Sequence, residues 1–274
     1  MSATVFTPLV EEVLLQIRIH GDSSLPTLIY LPGLHGDWTL VSSFRAAMQG
    51  RARFVEFTYP RSTTWSLDDY ARAVTAKLEE QGIRRGWLIG ESFSSQVAWK
   101  ILEQVEKTLA GFQPQGLILA GGFVRHPILW GVHGFHALHR LMPAWCFHGL
   151  LKCYGRYARF RHRRAPETRE SVAEFLARRT EPDRAAIGAR YPLIARHDPR
   201  PVARRTVVPV YALSGFFDPI VPWPLVYPWL RRHCPVFCAA RVIFNADHNV
   251  LGTAPVESAE QILRWVRDND ATGR

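Results

Sequence analysis

Long apolar runs are missing from this 274-residue sequence: no stretch of about 18 or more uncharged apolar residues occurs, so no transmembrane helix is predicted. The N-terminus also lacks the basic start, apolar block and small-residue cleavage site of a secretory signal. Internal repeats and low-complexity tracts are absent as well. Because 47% of the residues are hydrophobic, the chain can fill the core of one large domain or two small ones. Since neither a transmembrane helix nor a secretory signal is predicted, we expect a cytoplasmic protein.

Cysteine is scarce, and its positions show no pairing pattern. No C-x-x-C motif occurs, so neither a disulfide framework nor a zinc cage is predicted, and we expect free, mostly buried thiols in a reducing compartment. His133, His136 and His139 recur every third residue, but this spacing drifts around a helix and no cysteine or carboxylate accompanies them, so no metal site is expected. The cysteines are Cys146, Cys153, Cys234 and Cys238.

Strand-like and helix-like patterns alternate over the first part of the chain. Continuous apolar runs at 27–31 and 116–123 are typical of strands that are buried on both faces of a parallel sheet. Between them, Ser66 followed by two acids predicts the start of a helix that stops near Gly82. This alternation predicts an α/β fold, with a mostly parallel central sheet and helices on both faces.

The alternation breaks at Val124, and strands resume only at 207–214 and 241–244. The intervening segment shows helical periodicity and is rich in aromatic residues, histidine and arginine. We therefore predict that residues 1–123 and 206–274 form the core, and that 124–205 is an inserted helical cap.

A strand, a small-residue turn and a helix are predicted within residues 86–100, with Ser92 at the turn. A hydroxyl at such a corner projects from the sheet near the N-terminal dipole of the helix, which suits a nucleophile. Residues 90–94, Gly-Glu-Ser-Phe-Ser, match G-x-S-x-G except that Ser94 replaces the last glycine. The alternative is an ordinary serine in a turn, and partners downstream decide between the two.

Two such partners follow later strands. A serine nucleophile needs a base, and the base needs an orienting acid. Asp218 follows the 207–214 strand and His248 follows the 241–244 strand, which is the order expected after a strand–turn–helix serine. Asp247 is a weaker alternative for the acid, because neighbouring side chains on an extended segment point apart.

Backbone amides are predicted to stabilise the oxyanion of the reaction. One donor is the amide of Phe93, directly after the serine, and the other is the amide of Leu34, which follows the flexible Pro32-Gly33 turn after the 27–31 strand.

The segments 31–36 (Leu-Pro-Gly-Leu-His-Gly) and 90–94 resemble the motifs L-P-G-L-D-G and G-E-S-F-S-G of a bacterial subgroup of serine α/β-hydrolases, near the carrier-protein methyl-ester carboxylesterases. The resemblance covers roughly residues 12–123 and 206–268. It implies the α/β-hydrolase fold, and it assigns the triad and oxyanion roles to the residues already identified.

Two positions depart from the subgroup. His35 replaces the usual aspartate, and Ser94-Ser95 replaces Ser-Gly. We expect His35 to line the entrance to the oxyanion loop and to influence substrate choice. In the cap, aromatic residues are predicted to pack against the core and to line an apolar acyl pocket; these are Trp130, Phe135, Trp145 and Phe147.

Acidic residues are scarce in the cap, which has 17 Lys and Arg against 6 Asp and Glu, whereas the rest of the chain has 17 against 18. One explanation of this excess positive charge is a solvated helical face. The other is attraction of an anionic partner such as a phosphopantetheine carrier, an acyl-CoA or an acidic membrane surface. No nucleic-acid partner is expected, because no recognition motif accompanies the arginines. The clustered arginines are Arg156, Arg159, Arg161, Arg163, Arg164, Arg178, Arg179, Arg204 and Arg205.

These features together predict a cofactor-free serine hydrolase that cleaves carboxylic esters through an acyl-enzyme. Two alternatives remain open. The same groups can act on thioesters or transfer acyl groups carried by CoA or a carrier protein, or the chain can be a non-catalytic binding protein on a hydrolase scaffold.

Overall fold

The apolar runs of the sequence form one seven-stranded sheet in the computed structural model, which describes residues 14–107, 111–161, 166–177 and 179–272. The strands are β1 (Gln16–His20), β2 (Thr27–Leu31), β3 (Arg53–Thr58), β4 (Arg85–Glu91), β5 (Gln113–Ala120), β6 (Val210–Gly215) and β7 (Phe237–Ile243). They lie in the order β1-β3-β2-β4-β5-β6-β7, and every neighbouring pair is parallel except β1 and β3. The predicted α/β class with a mostly parallel sheet is confirmed.

Helices follow most of the strands. A single 3₁₀ turn (Thr39–Val41) leads into the first of them. The helices are α1 (Ser42–Met48), α2 (Leu67–Glu80), α3 (Ser94–Val105), α4 (Leu129–Leu141), α5 (Ala144–Arg161), α6 (Pro166–Ala177), α7 (Glu181–Arg196), α8 (Arg200–Arg205), α9 (Trp223–His233), α10 (Val250–Thr253) and α11 (Pro255–Thr272).

Both faces of the sheet are covered by helices. Successive side chains of a strand point to opposite faces, so each central strand contributes to two apolar layers. On β2, Leu28 and Tyr30 pack in the layer that contains α1 and α11, whereas Ile29 and Leu31 pack in the layer that contains α2 and α3. All of these side chains are fully buried, which explains why the β2 sequence is continuously apolar.

The last strand begins earlier than expected, at Phe237 instead of residue 241. β7 is an outer strand of the sheet, and most of its residues are only partly buried. Its first half has one bulky apolar side chain, Phe237, followed by small residues, so it lacks the continuous apolar run that identifies interior strands. Helix α9 and strand β7 lie between Asp218 and His248.

Helices α4 to α8 lie between β5 and β6, within the segment predicted as a cap. α4 packs against α7 and α5 against α6, and α6 also contacts the 3₁₀ turn and α1 of the core. The division of the chain into a core and a separate cap domain stays a prediction. No helix in the part of the chain that the structure describes is long and apolar enough to cross a membrane.

The expectation of mostly buried thiols is wrong for two of the four cysteines. All four are free; Cys234 is buried and Cys146 is half-buried, whereas Cys153 and Cys238 are exposed. Cys238 lies on the outer strand β7, where the edge of the sheet leaves side chains accessible.

The segment between β5 and β6, residues 124–205, is called the insertion below, and its positive charge is not all on the surface. Arg179 and Arg190 are buried, so a solvated face does not explain them. Arg156 and Arg204 are exposed, and Arg205 pairs with Glu106 at 2.8 Å. The side chains of the other clustered arginines, Arg159, Arg161, Arg163, Arg164 and Arg178, lie outside the described residues. An anionic partner for this surface stays a prediction.

The start of α2 allows a direct test of the sequence-based helix signal. Ser66 Oγ accepts a hydrogen bond from Asp69 N (3.2 Å), and Asp69 Oδ2 accepts one from Ser66 N (2.9 Å). Ser66→Ala is expected to lower the free energy of unfolding by about 1 kcal/mol, because one amide of the first turn loses its acceptor. Thermal unfolding should then show a Tm about 2–4 °C lower. Ser23→Ala, in an exposed turn, is the matched control, and equal Tm values for both variants would contradict this expectation.

Candidate active site

A strained corner lies between β4 and α3. Ser92 has φ +48°, and it is the only non-glycine residue with a positive φ in the described part of the chain. Such a conformation costs about 1–3 kcal/mol and persists only where its surroundings enforce it. Here Ser92 N donates to Ala120 O (3.1 Å), Ser95 N donates to Ser92 O (3.0 Å), and a side chain at Gly90 would meet Ser94 O at 2.9 Å. The corner therefore depends on close packing of strand against helix.

Ser92, His248 and Asp218 lie in one hydrogen-bonded chain. His248 Nδ1 is 2.8 Å from Asp218 Oδ2, and His248 Nε2 is 2.8 Å from Ser92 Oγ. Because a carboxylate only accepts, Nδ1 carries the ring proton and Nε2 accepts from the Ser92 hydroxyl. This tautomer is the one in which the imidazole can remove a proton from the serine.

The loop after β6 holds Asp218 in place. Its Oδ1 accepts from Ile220 N and Val221 N, both at 2.9 Å, which leaves Oδ2 for the histidine. Asp247, the weaker alternative for the acid, instead accepts from Asn249 N (3.0 Å) and from the Thr253 hydroxyl. Its carboxylate thus stabilises the turn before α10.

Two opposing effects act on the pKa of His248. Burial, the largest single effect, disfavours the charged imidazolium, but the hydrogen bond and charge of Asp218 together with the charges of Glu91 and Asp247 outweigh it, so the pKa lies above its ordinary value of 6.5. A raised pKa makes the imidazole a stronger base for the Ser92 proton.

The amides of Leu34 and Phe93 lie in the two loops that the sequence predicted. Leu34 follows β2, and Phe93 lies between Ser92 and the first turn of α3. Among the hydrogen bonds of the described residues, neither amide donates to a protein acceptor, so both are available to a bound oxygen.

Glu91 is a residue of this site that sequence analysis missed. Its carboxylate is buried at the end of β4, where it accepts hydrogen bonds from Tyr30 Oη and, at 3.1 Å, from Gly33 N. Burial and the adjacent Glu91 charge raise the pKa of Tyr30 well above its ordinary value of 10, which keeps the phenol protonated as a donor. An acid at the end of an apolar, buried strand was the available signal, because a buried carboxylate requires partners.

Ser94, which stands at the last glycine position of G-x-S-x-G, forms two buried side-chain hydrogen bonds. Its hydroxyl is fully buried, accepts from Tyr59 Oη (2.7 Å) and donates to Pro32 O. The first turn of α3 is thereby tied to the loop that carries Leu34. Ser95 donates to Ser92 O at 2.7 Å and adds a bond within the corner itself.

A cavity of about 480 Å³ opens beside Ser92 and His248, and its lining is mostly apolar. His35, Trp130 and Phe135, the residues predicted for the pocket, all lie in its wall. Its apolar walls also include Leu40, Phe123, Ile128, Val132, Tyr191, Ile194, Ile220 and Val221.

The expectation that the cap aromatics pack against the core is wrong for most of them. Trp130 is 80% exposed, Phe135 54% and Trp145 76%. On α4, Val132 is the buried residue, and the aromatic side chains of Trp130 and Phe135 line the cavity instead of packing in the core. Phe147 packs edge-on against His139, within the insertion.

The histidines of α4 have partners within the insertion. His139 Nε2 lies 2.9 Å from Arg184 O, and His136 stacks on Tyr191. No group of three potential metal-ligating side chains converges anywhere in the described ranges.

His35 lies in the cavity wall as a neutral imidazole. Burial lowers its pKa to about 4, and the nearby guanidinium groups of Arg179 and Arg190 act in the same direction against the opposing charge of Glu91. Its Nε2 donates to Asp37 O at 2.8 Å, which leaves an uncharged ring where the subgroup has an aspartate.

Ser94→Ala is expected to lower the free energy of unfolding by about 1–3 kcal/mol, because Tyr59 Oη and Pro32 O both lose a partner in a buried place. Denaturant unfolding measures this change. Tyr59→Phe is the matched comparison, since it removes one of the two bonds and leaves the contact with Pro32, and it should be less destabilising. A Ser94→Ala protein as stable as wild type would show that the hydroxyl bonds contribute nothing.

No protein-family model matches the sequence, and no curated protein matches it. Solved structures match over nearly the whole chain. An esterase from Thermogutta terrifontis superposes with a TM-score of 0.72 at 18% identity, covering 93% of each chain. MGS-M2, an α/β-hydrolase from a deep-sea metagenome library, gives 0.72 at 14% identity, over 92% of this chain and 94% of that one. The N-acyl homoserine lactonase AidH gives 0.69 at 15% identity, over 93% and 92%. The chain therefore has the α/β-hydrolase fold, as its motifs predicted.

Proposed function

We propose that this protein is a serine hydrolase that cleaves carboxylic esters through an acyl-enzyme. The observation that carries the proposal is the hydrogen-bonded chain from Ser92 Oγ through the imidazole of His248 to Asp218, beside a mostly apolar cavity. Esterases and a lactonase share the fold, which supports a carboxylic ester as the substrate class.

In the first half of the proposed reaction, Ser92 Oγ attacks the ester carbonyl carbon while its proton passes to His248 Nε2. The carbonyl oxygen becomes an oxyanion, and the amides of Leu34 and Phe93 stabilise it. Collapse of this intermediate breaks the bond to the alcohol oxygen, which takes the proton from His248. Asp218 stays ionised and stabilises the imidazolium that forms in between.

In the second half, water attacks the acyl carbon of the Ser92 ester, and His248 Nε2 takes the proton of that water. Collapse returns the proton to Ser92 and releases the carboxylic acid. The chain itself supplies nucleophile, proton transfer and charge stabilisation, so these steps require no cofactor.

The lining of the cavity indicates the polarity of the ester group that it holds. Apolar walls favour an apolar acyl or alcohol group, because burial of such a group stabilises the complex by about 25 cal/mol per Å². The neutral state of His35 adds no charge to this wall at neutral pH.

Ser92→Ala is expected to reduce kcat for p-nitrophenyl esters by about 10⁴-fold or more, because the nucleophile is lost. Initial rates across a series of acyl chain lengths measure this effect and also the preferred length. A fluorophosphonate probe should label wild type at Ser92 and leave the variant unlabelled, whereas the surface control Ser23→Ala should match wild type in both assays. Hydrolysis by Ser92→Ala at the wild-type rate would refute the proposal.

The same assay separates the remaining alternatives. Acyl-CoA and simple thioesters that are cleaved faster than matched oxygen esters would identify a thioesterase. Product partition between the free acid and an added alcohol would reveal acyl transfer. A wild-type protein that binds esters but neither turns over nor reacts with the fluorophosphonate would be a binding protein.

The acidic limb of the pH profile should lie above the ordinary histidine pKa. His248 must be neutral to act as a base, and Asp218 raises its pKa above 6.5, so kcat/KM should rise with pH through a midpoint above 6.5. Asp218→Asn removes the raising charge and should shift that midpoint to lower pH while reducing kcat by about 10⁴-fold. Rates from pH 5 to 9 test both effects, and an unshifted midpoint in Asp218→Asn would contradict the assigned cause.

A further inference from the structure

We propose that Arg190, on helix α7 of the insertion, is a positioning residue that holds the oxyanion loop in its working geometry. The oxyanion loop is defined here as residues 32–37, between β2 and the 3₁₀ turn. The proposal rests on the proposed hydrolysis, because it concerns the Leu34 amide of that reaction. Arg190 itself lines no part of the cavity beside Ser92 in the described residues.

The environment of Arg190 is unusual for a charged side chain. It is only 2% exposed, and among the described residues no carboxylate lies within ion-pair distance of its guanidinium. A buried cation without a paired anion is costly, so its hydrogen-bond acceptors must compensate for lost water. They are Leu34 O (2.7 Å), Tyr70 Oη (3.1 Å) and Pro60 O (3.4 Å).

Aromatic faces complete the surroundings of the guanidinium. It lies over the rings of Tyr59, Tyr70 and Phe93, with distances to the ring centroids of 5.6–5.9 Å. A planar, weakly hydrated guanidinium is suited to such faces, and it loses less hydration on burial than an ammonium would. Arg190 therefore bridges both segments that carry the proposed oxyanion donors.

The bond to Leu34 O has a specific geometric consequence. The Leu34 amide belongs to the peptide unit between Gly33 and Leu34. On one side of this unit, Gly33 N is held by Glu91 Oε2 at 3.1 Å; on the other side, Leu34 O is held by Arg190 Nη1 at 2.7 Å. Holding both flanking polar groups restricts rotation of the peptide between them, so the direction of the Leu34 N–H is fixed before substrate arrives.

The loop also closes on the guanidinium at Gly36. This residue has φ +82°, and a Cβ atom there would lie 2.4 Å from Arg190 Nη1. Glycine suits the backbone conformation, and a side chain at this position would also have to displace the Arg190 guanidinium.

A second arginine of the insertion strengthens the same arrangement. Arg179, just before α7, donates from Nη1 to His35 O at 3.1 Å and pairs with the carboxylate of Asp37. Two successive carbonyl oxygens of the oxyanion loop, Leu34 O and His35 O, are therefore held by guanidinium groups from outside the core.

Helix α7 also contributes side chains to the wall of the cavity beside Ser92. Tyr191 and Ile194 lie in the cavity wall, directly after and one turn beyond Arg190. The helix that shapes the apolar cavity is thus the helix that holds the oxyanion loop. We infer that the insertion supports catalysis through α7 as well as selecting the substrate.

The test compares Arg190→Met with wild type after active-site titration with a fluorophosphonate, so that only folded, reactive protein is counted. Loss of the guanidinium should reduce kcat by about 10- to 100-fold and change KM by less than about threefold, because an oxyanion donor is misaligned while the cavity keeps its walls. Affinity for a trifluoromethyl ketone, whose adduct with Ser92 carries an oxyanion, should fall by the same factor as kcat/KM.

Arg184→Met is the matched control on the same helix. Arg184 donates to His139 O and Met142 O within the insertion, so its loss should lower Tm without changing kcat per titrated site. Arg190→Lys retains the charge and part of the donor capacity, and it should recover some of the kcat and of the inhibitor affinity. This variant also decides the question if Arg190→Met does not fold, since a reduction of kcat of at least threefold is expected for it too.

Two negative outcomes are distinguishable. Wild-type kcat and inhibitor affinity in titrated Arg190→Met or Arg190→Lys, with only Tm lowered, would overturn the positioning role and leave the hydrolase intact. A wild-type protein that neither hydrolyses esters nor reacts with the fluorophosphonate would overturn the proposed function, and this proposal with it.

Discussion

Parallel pairing between neighbouring strands brings the carboxyl ends of β2, β4, β6 and β7 to a single edge of the sheet. Leu31 pairs with Gly90, and Gly215 pairs with Ile243, so the chain leaves these strands at matching levels. Short loops then suffice to bring together side chains that are up to 156 residues apart in the sequence. The hydrogen-bonded chain of serine, histidine and aspartate lies at this edge, which is where open α/β sheets place their ligand sites.

Opposite charges are buried around the loop that follows β2. Glu91 approaches it from the sheet, whereas Arg179 and Arg190 approach it from the insertion, and Asp37 belongs to the loop itself. Each charged group satisfies backbone donors or acceptors that would otherwise be buried without partners. Together with the strained conformation of Ser92, these contacts make the region costly to assemble and stiff once assembled.

Local signals were sufficient to predict the positions of Ser92, Asp218 and His248 after strands, because apolar runs and turn residues depend on short stretches of sequence. The contacts of Glu91 and Ser94 were not predicted, since they join residues that are distant in sequence. The arginines of the insertion were misjudged for the same physical reason. Composition counts charge, but it does not reveal which guanidinium groups are removed from water, and Arg179 and Arg190 are both removed.

Helix α7 contacts both the oxyanion loop and the cavity, so the insertion cannot be exchanged without changing both. A chimera that carried the lid of another protein with this fold would present new walls to the substrate, but it would leave the carbonyl oxygens of Leu34 and His35 without their guanidinium donors. For the proposed reaction, redesign of selectivity is therefore better confined to the cavity-lining positions of the existing helix, such as Tyr191 and Ile194. Variation of this kind changes the cavity wall and keeps the guanidinium contacts to Leu34 O and His35 O.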